Sequence, residues 1–244
     1  MNDDANDNAN RAATEAPIKA PFSGVFIDES ARDRVTVSGP DARTYLHSQV
    51  AQDVEVMEVG DLRWTLVLDP TGKVVSLARL TRSSDDVFEL DTDAGFGDML
   101  AERLRRFKIR VDADIELVAA TVDAAALPSP EAEVARVAMG WPRMGAEIIP
   151  GETIPAATGV TDVAASFTKG CYPGQELIER MDSRGAVAPR SLRVIDVGVD
   201  ARPGDPVLDD AGNTIGEITS VAGRKAIASV RRGTTPVGHP PPSS

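Results

Sequence analysis

Apolar and polar residues alternate along much of this chain with the two-residue period of β-strands, and a few stretches follow the longer period of a helix face. The alternation and the Val/Ile-rich runs predict strands at 22–28, 33–38, 64–68, 73–80, 87–90 and 109–117. Helices are predicted after Gly39-Pro40-Asp41 and at about 95–106. Strands and helices therefore mix along the chain.

The clearest local signal is the turn Asp69-Pro70-Thr71-Gly72 between two of these strands. It has proline at its second position and glycine at its fourth, as a type I turn prefers, and it predicts a β-hairpin. Antiparallel neighbours within a mixed order favour the α+β fold class over a doubly wound parallel sheet.

The chain changes character near residue 190, where short strands follow one another between Gly, Pro, Asp and Asn turns. This pattern predicts a small C-terminal β-barrel at 191–233, after an α+β core at 18–190 that is built from two interleaved lobes. The flanks 1–17 and 234–244 have no apolar periodicity and are predicted to be disordered tails.

Composition excludes several classes of function. The 26 Lys and Arg residues against 38 Asp and Glu residues give a net charge of −12, which opposes direct binding to nucleic acid or to an anionic membrane. The N-terminus is acidic where a signal peptide needs a basic patch, and no apolar run is long enough to cross a membrane. With one cysteine, no intramolecular disulfide can form. These features predict a cytoplasmic protein.

The stretch FTKGCYPGQELIERMDSRG, at 167–185, carries the candidate chemistry. Cys171 lies just before a predicted short helix and beside Lys169. A helix N-terminus and a nearby ammonium both favour thiolate over thiol, so Cys171 is a candidate reactive thiol and Lys169 its candidate partner. The alternative is a small buried apolar residue, which many lone cysteines are. Both interpretations stay open at this point.

Metal binding is poorly supported because the chain has only two histidines, His47 and His239. One cysteine and two histidines cannot form a Cys/His tetrad, so no intrinsic metal is expected. A Cys–His nucleophilic pair would need His47 to approach Cys171 in space. A packed or surface role for His47 is the simpler interpretation.

The cysteine stretch resembles the K-G-C-[FY]-x-G-Q-E signature of the YgfZ-type folate-binding family, which is related to the glycine cleavage T-protein aminomethyltransferases. The matching residues here are Lys169-Gly170-Cys171-Tyr172-x-Gly174-Gln175-Glu176. The resemblance continues through 37–54, 64–74, 104–110 and 136–152 and covers roughly residues 25–232.

The resemblance implies an aminomethyltransferase, T-protein-like fold: a three-lobed ring with a small C-terminal β-barrel and a central folate cavity. It implies tetrahydrofolate or a derivative as the bound cofactor. Iron–sulfur proteins or their assembly factors are the implied partners, and a contribution to tRNA modification is implied through those enzymes.

One departure from the T-protein pattern distinguishes this chain from the aminomethyltransferases. The T-protein has an aspartate on the strand after the hairpin turn that assists aminomethyl transfer, whereas this chain has Ser76 and Leu77 there. Without that carboxylate the transfer loses its main assistance, so the sequence favours an accessory protein for iron–sulfur cluster assembly or repair over an enzyme. The alternatives are a folate-dependent aminomethyl or one-carbon transferase and an interaction scaffold that has lost folate binding.

A second departure concerns the pterin ring of folate. Relatives often carry a glutamate in the segment R-x-E-x-G that hydrogen-bonds the pterin, and this chain has Ala138 two residues after Arg136. Loss of a buried partner typically costs about 1–3 kcal/mol, so Ala138 predicts weaker folate binding.

The expected site follows from the motif and the resemblance. Cys171 and Lys169 are the candidate catalytic pair. The candidate folate-contacting residues are Gly170, Tyr172, Gly174, Gln175, Glu176, Arg184, Arg136, Trp64 and Tyr45. Each has an ordinary alternative: loop glycines, helix-capping or surface-paired polar residues, and aromatic residues of the core.

Overall fold

The structure is a computed structural model that describes residues 32–120, 128–183 and 188–237, with the side chains of 181–183 left aside. The predicted strand at 22–28, the tail at 1–17, Arg184 and His239 lie outside the described residues.

An antiparallel five-stranded sheet forms the first part of the fold, in the order β2-β3-β4-β1-β5. Its strands are β1 Arg32–Ser38, β2 Leu62–Leu68, β3 Val74–Ser84, β4 Val87–Asp93 and β5 Asp114–Val118. Helices α1 Ala42–His47 and α2 Gly97–Arg106 cover one face. Alternate residues of each strand face the helices, and those of β1, β3 and β4, such as Val35, Leu80 and Leu90, pack with Leu46 and Leu104 of the helices.

The predicted hairpin is confirmed, since β2 and β3 pair in antiparallel register across the turn at 69–72. Asp69 Oδ1 accepts hydrogen bonds from the backbone N–H groups of Thr71 and Lys73 at 2.8 and 3.0 Å, and Gly72 has a φ of +86°. The aspartate thus fixes the turn from within.

The strand predicted at 109–117 is displaced, because β5 begins only at Asp114. Arg110 has a positive φ of 56°, which interrupts extended backbone. Asp112 then exchanges hydrogen bonds with Asp41 at the start of α1, at 3.1 and 2.8 Å. The segment before β5 is therefore anchored to a helix rather than to the sheet.

Four further helices follow in the chain. They are α3 Pro130–Met139, α4 Pro155–Thr158, α5 Thr161–Ala164 and α6 Gln175–Ser183. Of these, α5 and α6 contribute to a second hydrophobic core, while α3 packs on the C-terminal sheet. The pattern of the sequence predicted α6 but not α3, although Ser129 caps α3 by accepting from the Ala132 N–H and Gly140 ends it at a φ of +72°.

The C-terminal part is an antiparallel four-stranded sheet in the order β6-β9-β8-β7, so β6 and β7 form its edges. Its strands are β6 Arg190–Asp196, β7 Pro206–Leu208, β8 Thr214–Ala222 and β9 Lys225–Arg231. The change of character seen near residue 190 thus coincides with the start of β6. Closure into a barrel stays a prediction. Within the described residues, no helix is long and apolar enough to cross a membrane.

Candidate functional site

Cys171 lies in the loop that leads into α6, and it is exposed. The exposure excludes the buried alternative. The thiol lines an open cleft of about 430 Å³ between this loop, the first turns of α6 and the hairpin turn. The cleft is lined by Pro70, Thr71, Cys171, Tyr172, Gly174, Gln175, Glu176, Leu177, Glu179 and Arg180.

Polar side chains on the α6 wall of the cleft are largely engaged with one another. Gln175 accepts a hydrogen bond from the Tyr172 N–H at 3.3 Å and donates to Glu179. Glu176 pairs with Arg180 one helical turn later, and both side chains are well exposed. Gln175 thus orders the loop. The folate-contacting roles of Gln175 and Glu176 stay predictions.

One of the two glycines of the motif, Gly174, is required by packing within the protein. A Cβ on Gly174, which has a φ of +83°, would lie 2.7 Å from the Asp69 carbonyl oxygen. A Cβ on Gly72 would lie 2.6 Å from the Leu177 Cβ. The hairpin turn and the start of α6 therefore touch backbone to backbone. Gly170 is different, because a Cβ there would meet only the His47 Nε2, at 3.9 Å.

Lys169 is buried, and its ammonium is held by backbone carbonyl oxygens after α1. It donates to Val50 at 2.7 Å, to Gln52 at 3.3 Å and to His47. Its Nζ also lies 4.8 Å from the centroid of the Tyr172 ring. Burial lowers the pKa of Lys169 to about 8, against the opposing effect of nearby carboxylates. The lysine fixes the loop to the core, and its support of the thiol stays a prediction.

Both predicted tyrosines are packed in the protein. Tyr172 is buried in the second core, and burial raises its pKa to about 12. Tyr45 packs between α1 and α2, where its hydroxyl donates to the Leu104 carbonyl oxygen. Burial raises the pKa of Tyr45 to about 12 as well. Tyr45 lines neither the cleft nor the cavity described next.

Trp64 and Arg136 lie together elsewhere, around a small cavity of about 10 Å³ that we call the two-tryptophan cavity. It is lined by Arg32, Trp64, Leu77, Asp93, Arg136, Trp141, Pro142 and Arg143. The two indole rings are tilted by 53° with centroids 4.7 Å apart, and the Arg32 guanidinium carbon lies 5.7 Å from the Trp64 ring centroid. The cavity thus combines aromatic surface with charge.

Two buried N–H groups around this cavity have no hydrogen-bond partner. Asp93 Oδ1 accepts from Arg32 at 2.9 Å, and Oδ2 accepts from the Met144 N–H at 2.8 Å. The Trp64 Nε1 and the Arg32 Nε are buried without a hydrogen-bond partner. Sequence reasoning missed Arg32, Asp93 and Trp141 as site residues. Trp141 lies within the matching segment 136–152, but nothing local marks it as a partner of Trp64.

Arg136 borders the cavity and is also the centre of a buried ion-pair network. Its guanidinium pairs with Glu133 at 2.8 Å and with Glu147 at 3.1 Å, and it donates to the Trp141 carbonyl oxygen at 2.7 Å. Burial lowers the pKa of Arg136, but the hydrogen bonds and charges of the two glutamates raise it above its ordinary value overall. The same pairing lowers the pKa of Glu133 against the effect of its own burial.

Comparison with known proteins identifies the fold. No protein-family model matches the chain. An uncharacterized protein of Haemophilus influenzae is 26% identical over an alignment of 196 residues, and the match covers 66% of this chain and 70% of that protein. The crystal structure of glycine cleavage system aminomethyltransferase T from Bartonella henselae superposes with a TM-score of 0.69 over 84% of this chain and 77% of that one, at 17% identity. This chain has the fold of aminomethyltransferase T. The T-protein-like fold expected from the sequence is confirmed.

Within this aminomethyltransferase T fold, the two departures from the T-protein sequence have different consequences. Ser76 is buried in β3, where its hydroxyl donates to Thr92 Oγ1 at 2.9 Å, and the next residue, Leu77, lines the two-tryptophan cavity. β3 therefore brings an apolar side chain to the cavity. Ala138 is exposed, in contrast to the buried Arg136 on the same helix. Position 138 does not line the cavity, so the alanine removes no cavity group from this structure.

Proposed function

We propose that this chain is a folate-binding accessory protein of the YgfZ type, which serves iron–sulfur cluster assembly or repair in the cytoplasm. Its ligand is tetrahydrofolate or a derivative, held in the central cavity of a three-lobed ring. Its clients are iron–sulfur proteins or assembly factors, through which it contributes to tRNA modification. The aminomethyltransferase T fold and the K-G-C-Y-x-G-Q-E loop support this proposal.

The chemistry of the two-tryptophan cavity carries the folate part of the proposal. A pterin is a flat ring whose amide and amino edge donates hydrogen bonds, and Asp93 offers a carboxylate whose further lone pairs can accept them. Trp64 and Trp141 supply faces for stacking. The unpartnered N–H groups of Trp64 and Arg32 suit the acceptor atoms of the ring, and leaving such groups unpaired costs about 1–3 kcal/mol each.

The cavity must open to admit a ring. At about 10 Å³ it has room for roughly one water molecule. Trp141, Pro142 and Arg143 form one wall, directly after Gly140, whose left-handed φ of +72° ends α3. In this proposal the wall at 141–143 moves on binding, and α3 stays anchored by the buried Arg136.

The same cavity argues against aminomethyl transfer. Catalysis of that transfer needs a carboxylate free to manage protons at a folate nitrogen. β3 supplies Leu77 at the cavity, and both oxygens of Asp93 already accept hydrogen bonds from Arg32 and the Met144 N–H. Asp93 is thus placed to bind a ligand's donors rather than to carry a proton.

Tryptophan fluorescence tests folate binding directly, because the chain has two tryptophans and both line the cavity. Titration with tetrahydrofolate is expected to quench the emission with a micromolar Kd. The Asp93→Asn variant is expected to bind about tenfold more weakly or worse, since it loses a charged acceptor. Asp196→Asn, at an exposed position of β6, serves as the control with unchanged binding. Absence of quenching at millimolar folate would favour the scaffold alternative.

The accessory role and the thiol are tested in cells. In a bacterial strain that lacks its own YgfZ-type protein, expression of this chain is expected to restore the activity of iron–sulfur enzymes. A Cys171→Ala variant is expected to fail, because the proposal assigns chemistry to the exposed thiol. Full restoration by that variant would remove the thiol from the proposal, and failure of the unaltered chain would remove the iron–sulfur role.

A further inference from the structure

Glu147 is a residue with a fully buried side chain whose two carboxylate oxygens face different parts of the fold. Oε2 accepts hydrogen bonds from the Arg143 N–H at 3.0 Å and from the Arg136 guanidinium at 3.1 Å. Oε1 accepts from the hydroxyls of Thr219 and Ser220 of β8 at 2.7 and 2.6 Å. One oxygen is therefore bound beside the two-tryptophan cavity, and the other is bound to the C-terminal sheet.

Arg143, the last residue of the cavity wall at 141–143, is tied to Glu147 through its own peptide groups. The Arg143 carbonyl oxygen accepts hydrogen bonds from the N–H groups of Glu147 and Ile148 at 3.2 and 3.1 Å, while the Arg143 N–H donates to the Glu147 carboxylate. A tight turn thus joins the wall to the carboxylate. Because breaking buried hydrogen bonds is costly, a movement of the wall shifts the carboxylate relative to β8.

The C-terminal sheet meets this carboxylate at an irregular point. The register of β8 against β9 shifts between Ile218 and Ser220, so a β-bulge lies at Thr219. Consecutive side chains of a regular strand point to opposite faces, whereas a bulge can turn two of them the same way. Here the bulge brings two consecutive hydroxyls to the same oxygen of Glu147.

The Thr219 hydroxyl has a second acceptor within reach, the Ile227 carbonyl oxygen of β9, at 3.0 Å. A hydroxyl carries one proton, so Thr219 donates either to the carboxylate or to this carbonyl. If the carboxylate withdraws, Thr219 still has a partner, whereas the buried Ser220 hydroxyl has to find water or another acceptor. The bulge thus offers two arrangements, one that holds Glu147 and one that releases it.

We propose that Glu147 couples the two-tryptophan cavity to the C-terminal sheet: the β8 bulge holds the wall at 141–143 closed through this carboxylate, and a ligand that opens the wall releases the bulge. The inference rests on the proposed function, in which tetrahydrofolate opens the wall, and it adds how that binding is regulated. Such a coupling is reciprocal, so any change that frees the bulge strengthens ligand binding.

Acrylamide quenching of tryptophan fluorescence tests the coupling without any ligand, because both tryptophans of the chain line the cavity. The bulge variant Thr219→Val/Ser220→Ala cannot donate to the carboxylate, so its wall opens more often. We expect its quenching constant to rise about twofold or more. The matched control, Thr214→Val/Ser191→Ala, makes the same two changes at the start of β8 and on β6, and its quenching is expected to stay unchanged. Circular dichroism confirms that each variant is folded.

Titration with tetrahydrofolate gives a second readout, which a merely structural role would not produce. A ligand has to supply the cost of opening the wall, so a protein whose wall is less firmly closed binds more tightly. We expect the Kd of the bulge variant to be about fivefold lower than that of the unaltered protein. Loss of a purely structural contact would leave the Kd unchanged or raise it. Thr219→Ser, which keeps the hydroxyl, is expected to bind as the unaltered protein does.

Failure of the coupling and failure of folate binding give different results. If the folded bulge variant is quenched no more than the control, the bulge does not hold the wall and the inference is overturned. If folate binds but the bulge variant binds it no more tightly, the inference is overturned as well. If none of the proteins binds folate, the proposed function fails, and the quenching without ligand alone decides whether the bulge holds the wall.

Discussion

Lys169 shows how one residue can join the functional loop to the core. Its ammonium is buried among the carbonyl oxygens of His47, Val50 and Gln52, and this position lowers its pKa to about 8. An unfolded lysine keeps its proton to about pH 10.4. Between these two values the unfolded chain binds more protons than the folded one, so the contribution of Lys169 to the free energy of unfolding rises with pH.

A pH series on Lys169→Met measures this effect. The unfolding free energy of the unaltered protein minus that of the variant is expected to increase by roughly 1–2 kcal/mol between pH 7.5 and 9.5. The series ends below pH 10. Above that pH the tyrosines of the unfolded chain lose protons that Tyr45 and Tyr172 keep in the folded protein, where their pKa values are raised to about 12, so the free energy of unfolding falls. Lys225→Met, at a half-exposed surface pair, is the control. A difference that stays constant or falls across this interval would contradict the burial of the ammonium.

At the residue scale the sequence predicted which loop carries the chemistry but not how its residues are used. Local spacing placed Cys171 just before a helix, but whether its side chain is exposed or buried was settled only by the structure. The partners of Lys169 lie more than 115 positions earlier in the chain, and the Trp64–Trp141 contact joins residues from different layers. Local patterns carry no information on such contacts. The roles of Asp93 and Trp141 and the hydrogen bonds of Lys169 could therefore be found only in the folded structure.

At the scale of elements, the hairpin turn and the start of α6 form one unit through two glycines. Gly72 and Gly174 both have positive φ, and each lies where a Cβ would collide with the other segment. The hairpin and α6 were predictable from their turn and helix signals. Their contact was not, and neither were α4 and α5, which have only four residues each and too few turns to show a helical period.

Gly174→Ala tests this contact. Its methyl group would lie under 3.0 Å from the Asp69 carbonyl oxygen and the Gly72 Cα, in addition to the strain of a positive φ. Gly60→Ala is the matched control, since Gly60 has a φ of +94° and nothing within 4 Å of a new Cβ. We expect urea unfolding to show a loss of about 2 kcal/mol more for Gly174→Ala than for Gly60→Ala. Equal losses would mean that the contact does not constrain the loop.

At the scale of the whole molecule, Glu147 ties the α+β core to the C-terminal sheet. Its side chain is fully buried, pairs with Arg136, and accepts hydrogen bonds from the Thr219 and Ser220 hydroxyls of β8 at 2.7 and 2.6 Å. Helix α3 packs on β8 and β9 around it. The C-terminal sheet was predictable as a run of short strands, but its junction with the core is made by contacts between residues distant in sequence, Glu147 among them.

Replacing Glu147 by Gln is expected to destabilise the whole protein by about 3 kcal/mol or more, because the buried charge of Arg136 then keeps only one of its two carboxylate partners. Glu176→Gln, at an exposed helix position, is expected to change stability by less than about 0.5 kcal/mol. Chemical denaturation followed by fluorescence and circular dichroism measures both. A Glu147→Gln variant as stable as the unaltered protein would show that the junction does not depend on the buried ion pair.

We propose that a folate binds in the two-tryptophan cavity of this aminomethyltransferase T fold, and a crystal structure of the protein with tetrahydrofolate would show where the ring lies. We predict the pterin ring against Trp64 and Trp141, its amide edge on Asp93, and the wall at 141–143 displaced outward. A ring bound in the Cys171 cleft instead, or an unchanged cavity in crystals grown with saturating folate, would show that the two-tryptophan cavity is not the folate site.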